Sequence, residues 1–299
     1  MSNKCISVIT TSFNCSQYIE NTIQSVIGQD YPALQYIVVD ALSTDGTADV
    51  LQRYKDSIDI IIREADEGMY HGIQKGAGYV EGEIMAWLNA DDAYHPWTFS
   101  VVENIFKKFP EVEWVIGQPS YMNQKGQCIK VSSNAGTAYP AKYVRNGWFR
   151  PQFAGYLQQE SMFWRKSLWD KVGGLNLNLQ LAADFELWTR FAQYAELYSV
   201  TTPMASFRMR PGEQKSSIAA DRYHAEVMSV CQNLRSPGKL WRFASKLGEI
   251  PRILARLLVW EKSNFITFHP RANDWIIDKA YRPLSRSSFP EALLEYRKR

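Results

Sequence analysis

At 299 residues the chain can bury a large core, as one big α/β domain or two modest ones. Its 34 Lys and Arg nearly balance 31 Asp and Glu, and the resulting formal charge of +3 gives no global attraction to nucleic acid or to a strongly acidic partner. Cys5, Cys15, Cys128 and Cys231 lack CxxC or Cys/His spacing, which argues against zinc and against a disulfide framework and fits a reducing compartment.

The opening MSNKCISVITT enters a strand pattern at once, leaving no room for a secretory leader, and no stretch approaches the ~18 uncharged apolar residues of a membrane span. A cytoplasmic protein is expected. CISVITT (5–11) reads as a buried strand, and Ser16 as the cap of a helix whose Ile19, Ile23, Val26 and Ile27 recur at helical spacing. YIVVDA (36–41) is a second strand, STDGT (43–47) a turn opening another helix, and DIIIRE (59–64) a third strand. MYHGIQKGAGYV (69–80) is a glycine-interrupted helix, EIMAWLN (83–89) a fourth strand, and Pro96 suits the first turn of a helix running to about Phe109. This alternation predicts a parallel sheet with helices on both faces. Ligands of such sheets bind beyond the carboxyl ends of the strands, where Thr11, Asp40, Glu64 to Asp66 and Asp91 all fall.

From about Trp114 glycine, asparagine and aromatic residues take over, and the pattern looks more antiparallel. QKGQ (124–127) is a hairpin turn between YMN and CIKV. A helix over 184–194, a strand over 196–209 and the polar loop RPGEQKSS (210–217) follow. Past Ser236, the segment KLWRFASKLGEIPRILARLLVWEK sets six basic against two acidic residues among apolar and aromatic ones, an amphipathic basic pattern expected to be helical.

LNADDAYHP (88–96) places two adjacent carboxylates at the end of a buried strand, where they repel each other unless a cation or ample water lies between them. Two readings are open: a solvated turn that helps cap the following helix, or a pair of hard oxygen ligands for Mg²⁺ or Mn²⁺ bridging a diphosphate.

In order and spacing, SVITTSFN (7–14), YIVVDALSTDGT (36–47), DEGMYHGIQKG (66–76), WLNADD (87–92) and GGL…AADFELWTRFA (173–192) resemble the motifs of family 2 glycosyltransferases of GT-A fold. The resemblance covers roughly residues 4–212. It implies a Rossmann-like mixed sheet with helices on both faces, divided into a nucleotide-sugar half (1–118) and an acceptor half (119–235) of one domain, followed by a basic aromatic helical extension (236–299). It also implies a nucleotide-diphosphate sugar donor, a UDP-sugar being favoured, with Mn²⁺ or Mg²⁺ and a glycan or lipid-linked saccharide acceptor.

The implied roles fall on individual residues. Thr11, Phe13 and Asp40 match positions that hold the nucleotide base, although Ala41 stands where a second Asp is usual. Asp66 and Gly68 match the DxG element over the nucleotide and Lys75 closes that motif, with His71 and Gln74 where Asp and Asn are frequent. Asn89, Ala90 and Asp91 occupy the DxD-like position, making Asp91 the metal ligand with Asp92 the alternative or additional one. Asp184 matches the general base, its competing role being a helix N-cap, and Ala183 replaces the preceding Glu. Glu186 is the runner-up base, with Arg190 a structural partner, and Glu160 could orient an acceptor hydroxyl or sit in a buried salt bridge. Arg208 and Arg210, joined by Lys215, match a loop that folds over the diphosphate.

QNLRS (232–236) lacks the Trp of the QxxRW motif of processive relatives, so one sugar per encounter is expected. Residues 237–262 are expected to touch the inner face of the membrane peripherally, or to pack on the protein itself. The expected activity is inverting transfer of one sugar to a growing surface glycan. The rival readings are a sugar-phosphate nucleotidyltransferase, disfavoured because TTSFNCSQY has no glycine for a phosphate loop, and an inactive nucleotide- or glycan-binding module.

Overall fold

The computed structural model describes residues 5–132, 137–150, 154–210, 219–232, 234 and 260–283. The first half follows the expected alternation: β1 (Ile6–Ser12), α1 (Ile19–Ile27), β2 (Leu34–Asp40), α2 (Thr47–Arg53), β3 (Ile60–Arg63), α3 (Met69–Ala77), β4 (Ile84–Trp87), β5 (Ala93–Tyr94) and α4 (Thr98–Lys108). β6 (Trp114–Ile116), β7 (Ser120–Met122), β8 (Cys128–Val131), α5 (Ala141–Val144), β9 (Met162–Arg165), α6 (Lys166–Val172), α7 (Ala183–Tyr194), β10 (Leu197–Val200) and β11 (Ala205–Arg208) follow. Then come α8 (Ala220–Gln232), β12 (Trp260–His269) and β13 (Asp274–Pro283).

Among the described residues nine strands form one mixed sheet in the order β13-β12-β10-β6-β9-β4-β1-β2-β3. β1 pairs in parallel with β2 on one side and with β4 on the other, so the chain leaves β1 in one direction and returns on the opposite flank. The gap above β1 and β4 is therefore the switch point at which open α/β sheets hold ligands. A smaller sheet, β5-β11-β7-β8, stands beside it.

Alternating burial explains the strands less well than continuous burial: every residue of β4 is buried, as expected for a strand covered on both faces. The core on the α7 side is built from tryptophans. Trp87 of β4 stacks on Trp188 of α7 at 5.5 Å, and Trp114 and Trp164 crowd the same indole at 5.9 and 5.5 Å. Such pairs add roughly 0.5–1.5 kcal/mol each beyond their burial. Trp188 lies one helical turn after Asp184 and Trp87 two residues before Asn89, so one stack locates both ends of the cleft.

Several expectations change. The head of α1 is Tyr18, not Ser16; the Ser16 amide instead donates to Asp45 Oδ2 at 2.9 Å. The single strand over 196–209 is two strands in different sheets, because Pro203 interrupts the ladder. β9, from the expected acceptor half, lies between β6 and β4 of the expected nucleotide-sugar half, so the two halves share one sheet. Within the expected helical extension, residues 260–283 form a β-hairpin instead, β12 joining the main sheet beside β10. The turn at 270–273 joins two ten-residue strands of matching length, which suits a hairpin better than a helix. The remainder of 237–262 and Lys215 lie outside the described residues. Among the described residues no helix is long and apolar enough to cross a membrane.

Candidate active site

Strand register assembles the first corner. Ser12 pairs with Asp40, and Asp40 with Arg63, across β1, β2 and β3. The buried Asp40 carboxylate accepts hydrogen bonds from the Ser12 hydroxyl at 2.8 Å, the Ser43 amide at 3.1 Å, the Ser43 hydroxyl and Arg63 Nε at 3.1 Å. Asp40 is thus a strut that fixes the loop after β2, with both oxygens engaged. Phe13, one residue past β1, leaves 58% of its surface exposed, an aromatic face open for stacking.

α3 approaches the end of β1 closely. A Cβ on Gly72 would lie 2.9 Å from Thr11 Cγ2 and 3.1 Å from Asp66 Oδ2, so only glycine lets these three residues meet. Asp66 Oδ1 accepts the Gly68 amide at 2.9 Å, and Gly68 has φ 128, a left-handed geometry at the head of α3. Lys75 reaches back to Glu64 at 2.7 Å and steadies the 64–66 loop rather than facing the cleft. His71 lies on the surface 3.5 Å from Glu67.

The aspartate pair at the end of β4 divides. Asp92 is 1% exposed; its Oδ1 accepts the Arg208 amide at 2.9 Å and its Oδ2 the Asn89 side-chain amide at 3.4 Å. Burial, with Asp91 and Glu160 close by, pushes its carboxyl well above the usual carboxylate range. Asp91 faces the other way, 16% of its side chain exposed, and its Oδ2 sits 2.5 Å from the Arg210 guanidinium. Arg208, 1% exposed, is held inside: its Nε donates to the Asp91 carbonyl at 2.5 Å, Nη1 to the carbonyls of Asn123 and Gln124 at 3.2 and 2.9 Å, and Nη2 to Asn21 Oδ1 at 2.6 Å. The expected phosphate contact of Arg208 is therefore corrected. A guanidinium whose fork already clasps carbonyls beneath the strand end braces the Asp91 backbone, and Arg210 is the arginine of the pair at the cleft. Glu160, in the single turn Gln159–Ser161 before β9, is 3% exposed, buried near Asp92 rather than turned to an acceptor.

The donor set suits a divalent cation of the Mg²⁺ or Mn²⁺ kind. Asp91 offers a partly exposed carboxylate, and two residues earlier in the chain Asn89 Oδ1 is a buried oxygen that accepts no hydrogen bond. Among the described residues no group of three or more His, Cys, Asp or Glu side chains could hold a metal by itself. That combination fits an ion completed by phosphate oxygens and water, the usual way Mg²⁺ is held at phosphate sites.

Asp184 forms the opposite corner. It lies in the first turn of α7 behind Ala182, which occupies the N-cap position, so it is not the cap. The Tyr70 hydroxyl on α3 is 2.9 Å from Asp184 Oδ1 and 3.0 Å from the Leu181 carbonyl. Burial raises the Asp184 carboxyl above its ordinary range, against opposing hydrogen bonds from Phe185 and Tyr70, and Glu226 raises it further. Glu186 is removed from contention by Arg190, which grips it through Nε and Nη2 at 2.8 and 2.7 Å and reaches the Val172 carbonyl at 2.7 Å.

The structure thus brings together Thr11 with Asp66, Asp91 with Arg210, and Asn89 with Asp92, while Asp40, Lys75, Glu160 and Arg208 support from behind. Tyr70, Gly72 and Glu226 escaped the sequence reading. Gln74 accepts the Leu175 amide at 3.0 Å, tying α3 to the loop before α7. The glycines of GIQKG and the GGL pair were the available signals for close packing there; Glu226, far along the chain, carried none.

Comparison with known proteins bears on the family and the fold. Residues 7–170 match the family described as "Glycosyl transferase family 2". Over 92 residues the chain is 38% identical to a putative teichuronic acid biosynthesis glycosyltransferase, TuaG, of Bacillus subtilis, covering 30% of this chain and 36% of that protein. It shares its fold with S. aureus TarS 1-349, solved in complex with UDP-GlcNAc, at TM-score 0.61 and 17% identity, over 78% of this chain and 68% of the other. The mannosyltransferase PcManGT from Pyrobaculum calidifontis, solved with GDP-Man and Mn²⁺, aligns at TM-score 0.55 and 19% identity over 78% and 65% of the two chains. Since the family match spans more than half of its length, the chain belongs to glycosyl transferase family 2.

Proposed function

We propose that the protein transfers one sugar from a nucleotide-diphosphate sugar, a UDP-sugar by preference, to a glycan acceptor, with inversion at the anomeric carbon. The carrying observation is the division of labour between two rim carboxylates: Asp91 at the switch point paired with a guanidinium, and Asp184 half-buried and raised in proton affinity.

In this reading Phe13 stacks on the nucleotide base, and Thr11 with Asp66 and Gly68 positions the nucleoside. Asp91 and Asn89 would hold Mn²⁺ or Mg²⁺, which when bound to the diphosphate neutralises the charge it gains on leaving. Arg210 moves from Asp91 to the phosphate oxygens, its planar fork matching them. Asp184 takes the proton of the acceptor hydroxyl as that oxygen forms its bond to the anomeric carbon, and the bond from that carbon to the diphosphate oxygen breaks on the opposite side. A carboxylate with raised proton affinity is the better base for that step. Asp92 and Glu160 hold the floor beneath Asn89 and Asp91.

The acceptor class rests on relatives: TuaG is named for teichuronic acid biosynthesis, and a surface polysaccharide, lipid-linked during growth, is the acceptor we favour. A cytoplasmic location with peripheral membrane contact through 237–262 belongs to the same reading, supported by the basic aromatic composition of that segment. A nucleotidyltransferase finds no support in the family match, and an inactive module none in a site that retains Asp91 and Asp184.

Assay of transfer and hydrolysis over a panel of UDP-, GDP-, dTDP- and CMP-sugars with Mn²⁺ tests the proposal. Turnover of one donor, lost in Asp91→Ala and in Asp184→Asn, is expected; wild-type transfer by Asp184→Asn would end the base assignment.

A further inference from the structure

α7 begins without a side chain able to cap it, because Ala182 and Ala183 occupy its head and Ala182 makes no side-chain cap bond. The amides just before the helix are nonetheless satisfied from a distance. Glu226, on α8, accepts hydrogen bonds from three successive backbone amides: Gln180 at 3.1 Å through Oε1, and Leu181 and Ala182 at 2.8 and 3.0 Å through Oε2. Three consecutive amides converging on one carboxylate form an anion nest, and charge-assisted bonds of this kind are about twice as strong as neutral ones. One residue further on in α8, Val227 is fully buried against Ala182 and Phe185, with Tyr223 packed on the same cluster. The segment gripped in this way ends two residues before Asp184, and the Leu181 carbonyl within it shares the Tyr70 hydroxyl with Asp184 itself.

We propose that Glu226 is a positioning residue for sugar transfer: by holding the amides of 180–182 it aims the Asp184 carboxylate and sets a second negative charge near it. This rests on Asp184 being the base. The groups facing Asp184 are Tyr70 from α3 and Tyr223 and Glu226 from α8. Of these Glu226 is the carboxylate, and a like charge nearby favours the protonated form of Asp184.

The test is the pH profile of kcat in wild type, Glu226→Gln and Glu226→Asp, with donor KM and the UDP-induced rise in Tm measured alongside. Glu226→Gln keeps the length and removes the charge, and with one acceptor oxygen left it also loosens the hold on the three amides. Its acid limb is expected to move down by about 0.5–1 pH unit and its plateau kcat to fall roughly three- to tenfold, with donor KM within about twofold of wild type. Glu226→Asp keeps the charge but is one methylene short; its acid limb is expected to stay in place while kcat falls. A limb that moves in both variants or in neither, or a wild-type kcat in Glu226→Asp, would overturn the inference. Should Glu226→Gln lose the UDP-induced rise, Glu226→Asp decides alone. Asp184→Asn in the same assay separates the two claims: if it is inactive while Glu226→Gln behaves as wild type, only the clamp fails, whereas an active Asp184→Asn removes the base reading first.

Discussion

The two corners of the cleft use carboxylates in opposite ways. Around the ends of β1, β2 and β4, Asp40 and Asp92 are buried and engaged, and Asp91 turns outward to a guanidinium. At the head of α7 Asp184 is half-buried against the Tyr70 hydroxyl, where burial and then Glu226 raise its proton affinity. In the proposed function an outward carboxylate paired with a cation suits a corner that holds a bound diphosphate, while a carboxylate short of counter-charge suits proton transfer. Local environment, not residue type, assigns the roles.

Substitutions can break this contrast. The largest effect is expected at Asp184: Asp184→Asn should lower kcat by about 10²–10⁴-fold, the range of a lost general base, with UDP affinity retained. In the wild type the acid limb of kcat should lie above the ordinary aspartate range of about 3.9, because the raised carboxyl must lose its proton to act, so activity climbs with pH through that midpoint. Asp91→Ala should lower kcat/KM for the donor by about 10²–10³-fold, read in steady-state kinetics at fixed Mn²⁺. Arg208→Ala leaves the carbonyls of Asp91, Asn123 and Gln124 without their donor and should cost about 3 kcal/mol, a fall in Tm of about 6–12 °C in calorimetry. Arg208→Lys should recover little, since an ammonium cannot span those acceptors. The smallest effect is expected from Asp92→Asn, which keeps an acceptor for the Arg208 amide and relieves repulsion with Asp91; donor kcat/KM should stay within about threefold of wild type.

Much of this was legible in the sequence. Strand runs separated by short helices placed β1 to β4 and their shared rim, and the ordered motifs pointed to Thr11, Asp66, Asp91 and Asp184. What the sequence left open was which carboxylates are already satisfied. Asp40 became a strut because register puts Ser12 and Arg63 on either side of it, and Arg208 because a hairpin 85 residues upstream offers it two carbonyls. Such pairings depend on long-range closure that no local spacing reports. The Glu226 clamp was invisible for the same reason, joining residues 44 to 46 positions apart. The hairpin at 260–283 was misread as helix because a basic, aromatic stretch fits either period until its turn and partner strand are seen.

The separation of donor holding from base catalysis is tested most directly by calorimetric titration of UDP into wild type, Asp91→Ala and Asp184→Asn, each with and without Mn²⁺. Mn²⁺ should strengthen UDP binding in wild type and in Asp184→Asn alike, and should add nothing in Asp91→Ala, although both variants should be strongly impaired in transfer. Equal Mn²⁺-dependent binding in Asp91→Ala, or its loss in Asp184→Asn, would contradict the assignment of the two corners.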